Sequence, residues 1–214
     1  MRAKNALKTE DWRDGFLFVG NQLALDFLNT RPIQDGEAQE LLPDFSSLLR
    51  WFQAAGLIGS RESTLLEQQW GDSARAGRTV EDARELREEI RKEVLAWESG
   101  GKLHRDMIEK LNGLLAAHPM LANLVETGSG PRMDLSFEPR KPEDLFAPLA
   151  HSAAELFAEC DRTRIRKCGQ CVLHFLDTSK KGTRRWCSMQ LCGNRLKVAA
   201  YAQRQRSLKR LNDG

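Results

Sequence analysis

Four of the chain's five cysteines stand within one short stretch, as Cys168-x2-Cys171, fifteen residues, then Cys187-x4-Cys192. Two close pairs separated by a hairpin-sized interval match the spacing of a structural zinc site. A CxxC pair aims two thiolates at one point, and a short hairpin can bring a second pair opposite to complete a tetrahedron. The intervening VLHFLDTSKKGTRRW suits such a hairpin, with apolar and aromatic residues flanking a Ser-Lys-Lys-Gly turn. Residues 162–214 hold little apolar content, so a metal would have to supply their folding energy, typically about 10–16 kcal/mol for structural zinc. Disulfides are the competing reading. They are disfavoured because MRAKNALKTEDWRDGF has no apolar core ahead of its charges, which leads us to expect a cytoplasmic, reducing location. Four thiolates around zinc leave no open coordination position, so the metal is expected to be structural rather than catalytic. His174 is either a substitute ligand or a hairpin residue. Cys160, on an apolar helix, reads as a buried thiol.

Charge is divided sharply along the chain. Residues 162–214 carry 14 Lys/Arg against two acids, a net of +12, whereas residues 1–161 carry 19 Lys/Arg against 28 acids, a net of −9. A basic tail of this kind suits a polyanionic partner, or docking onto the acidic remainder. We therefore place a boundary at Arg162, giving domains 1–161 and 162–214. No run is long and apolar enough to span a bilayer, and no membrane partner is expected.

The first region is predominantly α-helical by pattern. Periodicity predicts a helix over about 20–30, ended by Arg31-Pro32, and a second after Asp44 as N-cap with Gly56 as its stop. A shorter helix is expected over Ser60–Gln69. Thr79 to Trp97 carries the clearest stripe, with Val80, Ala83, Leu86 or Arg87, Ile90, Val94 and Trp97 on one face and a charged opposite face. Helices over about 104–117 and 142–160 follow, the former with Met107, Ile108, Leu111, Leu114 and Leu115 inward. Between them, LANLVE and RMDLSFE alternate around TGSGP and predict a β-hairpin. The fold class is therefore α+β: a predominantly α-helical N-terminal domain with a small β-hairpin, then a treble-clef-like zinc finger built on four cysteines.

The stretch RRWCSMQLCGNRLKVAAYAQRQR, preceded by CxxC and FLDTS, closely resembles the CGNR zinc finger, whose name is spelled here by Cys192-Gly193-Asn194-Arg195. In that family the finger follows an ABATE domain, and LALDFLNT (23–30) resembles that domain's opening motif. The resemblance covers nearly the whole chain. It implies a stress-induced transcription regulator whose finger binds DNA.

After Cys192 the sequence reads as a cationic helix, with Leu196, Ala199, Ala200 and Gln203 inward and Lys197, Tyr201 and Arg204 on another side. Such a helix could enter a major groove or lie along phosphates. Lys180, Lys181, Arg184 and Arg185 around the hairpin tip would add backbone contacts, and Arg206 continues the charge. Arg195 either braces the finger through carbonyls or faces phosphate. Trp186 is expected to pack over the metal site, and Asp177 to pair with an arginine.

The N-terminal domain shows no catalytic constellation, so no enzyme is expected. Asp26, Asn29 and Arg31 either line a pocket or cap helix ends. In a regulator this domain would sense a small molecule or a protein effector, with the 120–140 hairpin as an edge or lid. The leading expectation is a zinc-dependent DNA-binding regulator. A redox-responsive zinc–thiolate switch and a protein-interaction module are the alternatives.

Overall fold

The computed structural model describes residues 11–34 and 37–193. About half of the described residues are helical, and the strands among them form four two-stranded antiparallel sheets. The first hairpin pairs β1 (Trp12–Arg13) with β2 (Phe16–Leu17). Its turn residues, Asp14 and Gly15, both have positive φ, at 48° and 83°. An Asp-Gly pair is the sequence signal for such a two-residue turn, a signal that helical periodicity does not register.

Helix α1 spans only Leu23–Leu28, with the Gln22 side chain accepting from the Leu25 N–H at its start. It is shorter than the expected 20–30 because Asn21 has a positive φ of 57°, Gln22 is an extended N-cap, and Asn29 ends the helix as its C-cap. Strands β3 (Ile33–Gln34) and β4 (Glu37–Ala38) follow. Helix α2 (Phe45–Ala54) starts where Asp44 accepts from the Ser47 N–H and ends before Gly56, whose φ is +76°. Both are the expected cap and stop.

Helices α3 (Ser60–Trp70) and α4 (Ala74–Glu98) come next. Helix α4 begins five residues earlier than the apolar stripe indicated, because Ser73 caps it by accepting from the Ala76 N–H. Its stripe buries Val80, Ala83, Leu86, Ile90 and Val94 against α1 and α2. Arg87 lies in the same stripe and is also buried, its guanidinium held by both Glu40 oxygens (2.8 and 2.5 Å) and by the Thr30 hydroxyl (2.9 Å). Pairing of this kind is what makes a buried charge tolerable.

Helix α5 (Arg105–Ala117) packs on α6 (Phe146–Ala158). Met107 and Leu111 point inward as expected, but Ile108 is exposed on the outer side of α5. Cys160 is only half-buried and lies beyond the end of α6, so the expectation of a buried helical thiol is corrected. The expected hairpin is present as β5 (Leu121–Thr127) and β6 (Gly130–Ser136), joined by two residues and registered from Leu121↔Ser136 to Thr127↔Gly130. It stands out from the body, with none of its residues buried.

Strands β7 (Ile165–Lys167) and β8 (His174–Leu176) close the described fold, ahead of a helical turn at Met189–Gly193. The main core gathers around Phe27, Trp51, Phe52, Ile90 and Leu156, and Ile165 of β7 belongs to it. A second core unites Leu17 and Val19 with Leu173, Phe175 and three of the clustered cysteines. Among the described residues, no helix is long and apolar enough to cross a membrane.

Candidate metal centre and its basic surroundings

The paired strands β7 and β8 flank the first two cysteines, so the CxxC is itself the hairpin tip. The expected hairpin between the two cysteine pairs, centred on Ser-Lys-Lys-Gly, is therefore corrected. The β7–β8 hairpin closes when the Cys168 N–H donates to the Leu173 carbonyl (2.9 Å). Residues 177–186 instead form a looped return stabilised by a buried carboxylate. The fully buried Asp177 accepts from the N–H groups of Ser179 (2.9 Å) and Arg184 (2.7 Å). Burial pushes its pKa up, yet these hydrogen bonds and the nearby Arg166 hold it below the ordinary carboxylate range. Gly182 completes the turn at φ +61°, donating to the Ser179 carbonyl.

That return brings Cys187 and Cys192 opposite Cys168 and Cys171. All four Sγ atoms lie within 4.8 Å of one another, and three of the pairs are 3.6 Å apart. A regular tetrahedron of thiolates at the usual Zn–S distance of about 2.3 Å has edges of about 3.8 Å. The donor set thus fits one zinc ion, and Cys168, Cys187 and Cys192 are buried. The proton balance points the same way, since four sulfurs so close cannot all ionise unaided. Cys171 is drawn down to about 5, first by a hydrogen bond from Cys187, while Cys192 is pushed up to about 12 by burial and then by Cys171. Cys187 is pushed up by its own bond to Cys171. A divalent cation inverts that logic by favouring every thiolate at once.

His174 does not join the cluster. Its side chain is buried, and its backbone N–H and carbonyl both pair with the side chain of Asn29 (3.0 and 2.9 Å). Asn29 stands where a cap was expected, as the C-cap of α1 with its N–H donating back to the Leu25 carbonyl, and its side chain also joins α1 to the cysteine hairpin. Asp26 folds back to accept from the Gly20 N–H (2.7 Å), and burial pushes its pKa up to about 7. The same loop receives the hairpin edge, because the Leu176 N–H donates to the Gly20 carbonyl (2.8 Å) and the Asn21 amide donates to the Leu176 carbonyl (2.9 Å).

Trp186 packs on the tip. A Cβ at Gly169 would stand 3.2 Å from the Trp186 ring, so this glycine admits the indole. The basic residues divide by orientation. Lys180, Lys181 and Arg185 are exposed around the return loop, and the Arg185 guanidinium sits 5.2 Å above the Trp186 ring. Arg184 is turned inward, donating to the carbonyls of Trp186 (2.7 Å) and Cys187 and lying 4.7 Å above Phe175. Arg195, Lys197, Arg204 and Arg206 lie outside the described residues, as does the helix that a treble clef would require after Cys192.

Two family models match the chain. One, described as "Putative stress-induced transcription regulator" and called ABATE, covers residues 21–159. The chain belongs to the ABATE family. The CGNR zinc finger model covers residues 164–205, so the ABATE domain precedes the finger and the cysteine cluster lies within the latter. No curated protein matches the chain. Neither family description names an enzymatic activity.

Proposed function

We propose that this ABATE-family chain is a zinc-dependent DNA-binding transcription regulator acting in a stress response, with residues 162–214 as the DNA-contacting domain and 1–161 as the sensing one. Zinc held by Cys168, Cys171, Cys187 and Cys192 organises the finger. Lys180, Lys181 and Arg185 contact phosphates from the return loop. Arg195, Lys197, Arg204 and Arg206, which follow in sequence, supply further phosphate-binding cations. The observation that carries this reading is the segregation of charge: a net of +12 over 162–214 beside a four-thiolate site. Metal-built folds with exposed cations suit a phosphate backbone, and arginine on a helix can also read guanine.

Arg184 serves the reading from inside, since its guanidinium caps carbonyls at the metal site. Its loss would damage the finger itself, which makes it a poor probe of phosphate contact. The informative variants are Lys180→Ala/Lys181→Ala/Arg185→Ala and Lys197→Ala/Arg204→Ala, titrated into labelled duplex DNA by fluorescence anisotropy. Each should weaken binding on all sequences and lower the salt slope by about 0.9 per phosphate contact removed. Affinity and slope unchanged in both variants would refute the assignment.

A further inference from the structure

Between the N-terminal domain and the cysteine hairpin lies a recess of about 300 Å³, bounded by the segment after α1, the outer face of α4, and β7–β8. That volume suits a small ligand. Arg31, Arg91, Lys167 and His174 supply its polar lining, together with one acid, Glu88. Among the described residues Lys167 makes no ion pair, and Arg31 reaches Glu88 only at 3.5 Å. Arg91 is anchored by Glu88 and by the Leu28 carbonyl (2.6 Å), which fixes its guanidinium in place.

His174 is the decisive feature. Its side chain is 2% exposed, yet neither ring nitrogen makes a hydrogen bond among the described residues. The nearest acid, Glu98, stands 3.7 Å from Nε2, beyond hydrogen-bond length. A buried imidazole without a partner is costly, and such a group beside a cavity marks where a ligand atom can sit. The rest of the wall is apolar, built by Ile33, Leu95 and Val172.

We propose that this recess binds a small carboxylic acid with an apolar body, its carboxylate taken by Arg31, Lys167 and His174 and its hydrocarbon by the Ile33–Leu95–Val172 wall. Cations outnumber the single lining acid, which excludes cationic ligands, and the apolar wall selects against bare inorganic anions. The site bridges both parts of the chain. His174 and Lys167 are cross-strand partners in the cysteine hairpin, and the backbone of His174 is gripped by Asn29 of the α1 end. Occupancy therefore ties the position of the finger hairpin to α1 and α4.

This inference deepens the proposed sensing role and names its effector class. Its test is direct binding without DNA, so its failure and the failure of DNA binding are separable. Zinc-loaded full-length protein is titrated calorimetrically with benzoate, hexanoate and phenylacetate, and with the three corresponding neutral amides. At least one acid should bind while its amide does not, and it should shift the ring 15N resonances of His174. The exposed substitutions Arg31→Gln and Lys167→Met, checked for unchanged melting, should each weaken that acid about tenfold, the loss expected for one charge-assisted hydrogen bond. The proposal is overturned if no acid binds at up to about 10 mM, if amides or inorganic phosphate bind as well as the acids, or if both variants bind like the parent.

Discussion

Asp26 shows how much one side chain can determine. Its carboxyl is buried beneath the loop that receives the finger hairpin, accepts from the Gly20 N–H, and has a pKa raised to about 7 by burial. The unfolded chain releases this proton near the ordinary aspartate value of about 3.9. Between those values the folded state binds more protons than the unfolded state, so stability falls as pH rises. The protonated carboxyl's contribution is fully present below about pH 4 and lost as pH climbs through about 7. Asp26→Asn keeps an acceptor for Gly20 without the charge. It should stabilise the protein above pH 7 by up to a few kcal/mol and flatten the pH dependence of its urea midpoint between about 4 and 7. A variant that parallels the parent at every pH would contradict this account. In sequence, Asp26 was indistinguishable from a helix cap. Only the tertiary path of residues 18–20 over α1 shows that it holds a loop.

At the scale of elements, the join between α1 and β8 matters most. One amide, Asn29, satisfies both backbone groups of His174 across 145 residues of sequence. Removing it leaves a buried N–H and a buried carbonyl unpaired, each costing roughly 1–3 kcal/mol. Asn29→Ala should therefore lower the stability of the zinc-loaded protein by roughly 2–4 kcal/mol in denaturant titrations. Hydrogen exchange should quicken at β8 as well as at α1. Exchange confined to α1 would mean that the two elements are energetically separate.

Helices were legible in proportion to how local their causes were. Asp44 and Gly56 delimit α2 as read, because capping and left-handed φ are properties of neighbouring residues. The start of α4 was missed because residues 74–78 (ARAGR) carry no large apolar side chain to extend the stripe, only the Ser73 cap. Strands β7 and β8 were misplaced for a different reason. Three-residue strands have no usable period, and the sequence offers Ser-Lys-Lys-Gly as a more obvious turn than Gly169-Gln170.

For the whole molecule, the four thiols were legible from their paired spacing together with the expected reducing location, which disfavours disulfides. The orientation of the cations was not. Arg184 and Arg185 are adjacent and chemically identical, yet one braces carbonyls beneath the metal site and the other faces solvent. The finger also proves less separable than the charge count suggested. Leu17 and Val19, from the opposite end of the chain, share a core with Phe175 and the cysteines. The cysteine cluster, its hairpin and the helical part are thus packed and hydrogen-bonded together rather than joined by a linker.

The claim that the zinc-built finger reads DNA is tested most directly by in vitro selection from a random duplex library, using zinc-loaded full-length protein beside Cys168→Ser. The account predicts an enriched sequence with the parent protein and none with Cys168→Ser, which lacks one of the four metal-holding thiolates. Failure to enrich DNA above background, or equal enrichment by Cys168→Ser, would contradict it.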